Sequence, residues 1–161
     1  EVPAAPVFPP EAVYVGRASD GRTTVALAVS KDRAAAYLCD GRSAESWLSG
    51  RVSGASAELS GAGSTLTAQR TETGATVTFT LNGHPLTAAV TPAAKPAGLY
   101  RARTSNGRTT IGWIVLPDGT QVGIANRAGT ESTAPTLPPD RSVTIDGEPV
   151  TGQEVHGDEQ L

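Results

Sequence analysis

Apolar and polar residues alternate over short runs along most of this chain, and each run stops at a turn. Residues 13–18, 23–29 and 34–39 predict a first meander of strands. Residues 46–52, 57–60 and 65–71 predict three more between glycine-rich turns, followed by 75–81, 86–91, 99–104, 109–116 and 120–126. About eleven short strands at roughly ten-residue spacing form the pattern of a β-sandwich or barrel. The alanine-rich pieces are too short and too interrupted by Thr and Gly for helices. Asp20-Gly21, Asp40-Gly41, Asn82-Gly83, Asn106-Gly107, Asp118-Gly119 and Asp146-Gly147 punctuate the pattern. Asn and Asp tolerate positive φ and Gly takes it freely, so each pair predicts a type I′ hairpin turn. Tight turns join only antiparallel strands. The expected fold is therefore all-β: an antiparallel meander forming a single β-barrel or strongly bent sandwich.

An internal repeat supports this. Residues 14–24, YVGRASDGRTT, match 100–110, YRARTSNGRTT, and the register runs on, with Leu27 over Trp113 and Val29 over Val115. A single repeated hairpin fits two related halves, or a barrel whose first and last hairpins occupy equivalent places.

Outside the repeat the composition shifts. Residues 1–12 hold four prolines in their first ten positions and read as a semi-rigid leader or linker. The body is expected over 13–129. Thr/Pro-rich 130–141 reads as a linker or extended wrap, and 142–151 as a last hairpin packed on the body. Pro149 keeps that hairpin off a central strand. Residues 152–161 read as a frayed acidic tail.

Composition narrows the function. Aromatics are 4% and much of the 38% apolar share is alanine, so the core uses small and β-branched side chains. A net charge of −3 argues against a nucleic-acid footprint. The Pro-rich start suits a spacer that holds an exported domain off a membrane, tethered through a removed N-terminal segment. Cys39 is the single cysteine, which excludes an internal disulfide and predicts a small buried core residue.

The search for chemistry yields little. His84 belongs to a turn, and His156 sits in the acidic tail with Glu154, Asp158 and Glu159, too loose a set for a metal. No Gly-x-Ser-x-Gly elbow or phosphate loop occurs. Asp32, Asp40, Glu45 and Glu58 fall at turns and strand ends, where solvated acids are the norm. No catalytic, metal or cofactor residue is assigned, no cofactor is expected, and the chain is read as a non-enzyme.

The aromatics stand above this background. Trp47 and Trp113 are expected to fill the barrel centre and leave no ligand-sized void. Residues 111–116 are apolar on both faces of a strand, which implies cover on both sides. Should one face be open, Trp113, Ile114 and Leu116 with Tyr37 and Trp47 form the candidate binding surface.

Tyr14-Val15-Gly16-Arg17, Ala36-Tyr37-Leu38-Cys39-Asp40-Gly41, Trp47-Leu48-Ser49-Gly50, Ala97-Gly98-Leu99-Tyr100-Arg101-Ala102 and Gly112-Trp113-Ile114-Val115-Leu116 together resemble a family of actinobacterial extracytoplasmic β domains of the cell envelope. The resemblance covers 13–129 and the hairpin at 143–150. It implies an all-β body and an envelope location, secreted or membrane-anchored. It implies no activity and carries over no functional residue. The expected function is a non-catalytic interaction or structural module that binds another envelope protein or polymer. A barrel holding a small hydrophobic ligand or lipid is the alternative, and a hydrolase with a dispersed site stands third.

Overall fold

A computed structural model describes residues 6–161, and the fold is all-β. The first five residues of the Pro-rich leader lie outside the described residues. Eight strands close into an antiparallel barrel: β1 (Glu11–Arg17), β2 (Thr24–Ser30), β3 (Arg33–Cys39), β4 (Glu45–Ser53), β5 (Ser56–Gly61), β6 (Ser64–Arg70), β7 (Ala75–Leu81) and β8 (His84–Pro92). Each pairs with the next, and β1 meets β8 through Tyr14↔Pro92 and Val15↔Thr91.

The barrel is shorter than the 13–129 body expected from sequence. It ends at Pro92, because eight strands already give an interior that side chains alone can fill. Tyr14, Leu27, Leu38, Leu48, Leu66 and Phe79 fill it, with alanines between them. Val25, Leu27, Ala36, Leu38, Ala68 and Val77 are 0% exposed, so no space beside them admits even water. The interior is full, but the tryptophans do not fill it. Trp47 lies outside the barrel wall and Trp113 in another layer altogether. Alternation explains the inversion: Leu48 points in, which sends its neighbour Trp47 out.

Gly50 makes the wall's coiling possible. A Cβ there would lie 1.8 Å from the Glu58 carbonyl oxygen on β5, so the strands approach more closely than any side chain permits.

The rest of the chain builds two further layers. β9 (Gly98–Arg103), β10 (Thr109–Val115), β11 (Gln121–Arg127) and β12 (Thr130–Thr133) form a second antiparallel sheet. β13 (Ser142–Ile145) and β14 (Glu148–Thr151) make a separate hairpin, and β15 (Gln153–Glu154) returns to pair with β9. Val15, Ala26, Ala28, Tyr37 and Cys39 on the outside of the barrel meet Leu99, Ile114 and Ile124 of the sheet. On the sheet's other face, Tyr100, Ile111, Trp113 and Val115 meet Leu137 and Ile145 of the C-terminal segment. The strand that reads as apolar on both faces is thus covered on both.

The repeat is a repeat of pairing. Tyr14↔Leu27 and Arg17↔Thr24 in β1/β2 correspond to Tyr100↔Trp113 and Arg103↔Thr110 in β9/β10. The two hairpins do not share one barrel. They lie back to back, with the equivalent residues Val13 and Leu99, and Ala28 and Ile114, together in the middle cluster. Leu27 therefore faces the barrel interior, while Trp113 faces the C-terminal cover.

The turns split into two kinds. Asn82-Gly83 and Asp146-Gly147 have both residues at positive φ, as type I′ requires. At Asp20, Asp40, Asn106 and Asp118 only the following glycine is left-handed. Their side chains instead accept backbone N–H bonds, as Asp20 Oδ1 does from Arg22 and Thr23 at 2.9 Å. An acceptor two residues upstream replaces the missing backbone bond and lets the loop lengthen. The tail also differs from expectation. Val155 is buried and donates its N–H to the Leu99 carbonyl at 2.9 Å, and β15 continues the sheet. An apolar residue able to bury itself outweighs the acidic composition around it.

Candidate functional site

The C-terminal segment walls a ligand-sized hollow, and its proline content dictates how it is held. Proline has no N–H, so a segment carrying Pro135, Pro138 and Pro139 cannot add as a strand. Side chains of the sheet hold it instead, together with one backbone bond at its start. Gln121 imitates a peptide unit: its Nε2 donates to the Leu137 carbonyl at 2.7 Å, and its Oε1 accepts the Leu137 N–H at 2.9 Å. The Trp113 indole N–H donates to the Pro135 carbonyl at 2.8 Å, and the Ala134 N–H to the Gly123 carbonyl at 3.1 Å. After Leu137 plugs into the sheet, the chain lifts away to the turn at Arg141.

A cleft of about 650 Å³ opens between that lifted segment and residues 95–96. Tyr100 and Val115 lie at its floor, and Pro96, Leu137, Pro138 and Pro139 add apolar wall. Lys95, Arg141 and Glu154 are its charged groups. The Tyr100 hydroxyl donates to the Pro96 carbonyl at 2.8 Å, which fixes the floor. Burial raises the Tyr100 phenol above its ordinary pKa, with Glu154 adding to the rise and Arg141 and Lys95 opposing it. The Arg141 guanidinium stands 5.5 Å over the Tyr100 ring, a cation–π placement. A mostly apolar hollow with a few convergent polar groups suits binding, and its volume is in the small-ligand range.

The residues expected to form a binding surface do not form one. Trp113, Ile114, Leu116 and Tyr37 are buried, and only Trp47 is half-exposed. The second sheet and the C-terminal segment cover them on both sides, so they work as packing. Tyr37 and Trp47 instead make the seam between barrel and sheet, stacked at 4.2 Å between ring centroids. Gly112 gives them room, since a Cβ there would stand 2.6 Å from Trp47 and 2.7 Å from Tyr37. Glu45 locks the seam: it accepts from the Tyr37 hydroxyl at 2.6 Å and from the Asn126 amide at 3.1 Å. Arg101 lies 4.9 Å over the Trp47 ring.

The other candidate acids are spent on structure or stand in solvent. Asp32 pairs with Arg51 at 3.4 Å, Asp40 caps its own turn, and Glu58 is exposed. His84 is exposed in the hairpin start, and the His156 N–H is bound by Glu159 at 2.6 Å.

Cys39 is fully buried, and burial pushes its thiol up to about 12, aided by Glu45 and Asp40 and opposed by bonds from Tyr37 and Gly41. A thiol this far from ionising is inert at neutral pH. In the native protein a maleimide should label Cys39 no faster than the protein unfolds. Fast native labelling would show that the thiol is reachable. The shift also sets a pH slope. Folding holds the proton more tightly than the unfolded chain, so this contribution is intact below pH 9.0 and is lost as pH rises towards about 12. Cys39→Ala should flatten that alkaline loss of stability.

No protein-family model, curated protein or solved structure matches the chain.

The cleft is not readable from the sequence because its parts are scattered over residues 95–154. The one local signal is the proline cluster at 135–139, which marks a segment that must be held by side chains.

Proposed function

We propose that this protein is a non-catalytic interaction module of the cell envelope that engages another envelope protein or polymer. The observation that carries this reading is the position of the hollow: the barrel is packed solid, and the ligand-sized cleft lies outside it, under the C-terminal segment. A closed barrel has no free strand edges and is stiff, so it suits the role of platform. The Pro-rich leader and the resemblance to envelope domains support an extracytoplasmic setting, secreted or anchored. The alternative reading, a small hydrophobic ligand, moves from the barrel interior to the same cleft.

Envelope extract passed over the immobilised domain tests the proposal. A protein or polymer should be retained saturably, and retention should fall at least roughly tenfold when Thr136→Trp fills the cleft, the scale of losing a buried anchor. Circular dichroism and thermal unfolding check that the variant folds. Saturable retention that Thr136→Trp leaves unchanged would place recognition elsewhere, and no retention would sink the reading.

A further inference from the structure

The cleft's charges are not balanced within the protein. Lys95 and Glu154 neutralise each other across 3.1 Å. Arg141 has no carboxylate within 4.0 Å among the described residues. Two turn acids are engaged by their own loops instead: Asp140 Oδ1 accepts the Ser142 N–H at 3.0 Å, and Asp118 Oδ1 the Thr120 N–H at 2.9 Å. Arg141 itself has φ of 63°, a conformation that side-chain-bearing residues rarely take. The turn that imposes it, with the Arg141 N–H donating to the Pro138 carbonyl at 2.8 Å, is the one that brings the guanidinium over Tyr100.

We infer that the cleft takes an apolar group carrying an anionic head, with the head on Arg141 and the apolar body over Tyr100, Val115 and the prolines. This rests on the reading of the cleft as the recognition site and names what it recognises. Three features support the charge sign. A half-buried guanidinium over an aromatic ring keeps its five donors in a fixed fork and matches a carboxylate, sulfonate or phosphate. Lys95 and Arg141 set against Glu154 leave the lining of the cleft one positive charge in excess. The one acid at the site is already held by Lys95, so it repels an incoming anion only weakly.

Fluorescent probes that differ in the head group test this in the intact chain. The anionic probe is 8-anilinonaphthalene-1-sulfonate, and N-phenyl-1-naphthylamine is its neutral counterpart. The sulfonate should bind saturably at one site per chain. Arg141→Gln should weaken it roughly tenfold or more, the cost of losing a charge-assisted bond, and should change the neutral probe by less than about threefold. Glu154→Gln should leave sulfonate binding equal or tighter. Thr136→Trp should abolish both probes while the protein stays folded, which keeps the test valid should Arg141→Gln disturb its turn. Sulfonate binding indifferent to Arg141→Gln, equal losses for both probes, or no saturable binding would each overturn the inference. A partner retained from envelope extract in the face of such a result would leave the interaction reading intact and remove only the anionic ligand. Sulfonate binding with no retained partner would do the reverse.

Discussion

Trp113→Ala should destabilise the protein by about 3–5 kcal/mol, the range for truncating a buried aromatic ring, measured by denaturant unfolding. The expectation follows from where the ring sits. Trp113 is 1% exposed and packs in the layer between the second sheet and the C-terminal segment, with Leu137 and Ile145. Small residues frame it: a Cβ on Gly123 would stand 3.2 Å from the ring and one on Gly152 3.6 Å from it. Glycines on those sides carry no side chain of their own that could help refill the cavity. The lost indole N–H also leaves the Pro135 carbonyl without its donor. Both losses fall on the C-terminal segment, so hydrogen exchange should quicken first over residues 134–152, while the barrel amides keep their protection. Since that segment forms one wall of the cleft, probe binding should weaken with it. A loss below about 1 kcal/mol would mean that the layer relaxes freely.

What the sequence makes legible follows from short-range chemistry. Alternation in β6 and β7 shows directly: Leu66 and Ala68, Val77 and Phe79 point in, while Thr65, Thr67, Thr76 and Thr78 point out. Turn glycines mark nearly every reversal, because most of these turns place one residue in the left-handed region, which glycine takes freely. The two-sided apolar run through Trp113 correctly implies cover on both faces. The same signal is present in β2 and β3, where TVALAVS and RAAAYLC are buried almost throughout. Those strands are the barrel wall on which the second sheet rests, and their composition shows which half of the barrel is sheathed.

What stays illegible depends on long-range choice. Nothing local in residues 86–104 tells whether the ninth strand joins the barrel or starts a new sheet. That is decided by β1 pairing with β8 across the whole barrel. The placement of the tryptophans depends on the same closure, because the side of the wall that becomes the inside is fixed only once the ring shuts. The cleft is harder still. Lys95, Tyr100, Arg141 and Glu154 meet only because Gln121 and Trp113 pin the proline segment onto the sheet. Side-chain mimicry of a peptide bond leaves no periodic trace in a sequence.

Gly50→Ala should cost still more relative to its size, at least about 3 kcal/mol, the upper range for overpacking, and should leave little folded protein. The added methyl would fall 1.8 Å from the Glu58 carbonyl oxygen and 2.7 Å from the Leu59 Cα. Those are backbone atoms of the paired strand, so no rotamer change relieves the clash; β4 and β5 must separate. In a closed barrel that separation cannot be confined to one pair, since every strand is bonded on both sides. Gly54→Ala provides the control. Gly54 has φ of 60°, and a methyl added there would find nothing within 4 Å, so alanine meets only the left-handed backbone penalty of roughly 1 kcal/mol. Two substitutions of the same chemistry, four residues apart, should thus differ several-fold in urea or thermal unfolding. Equal, small effects would show that the strands part easily at Gly50 and that close approach does not hold the barrel shut.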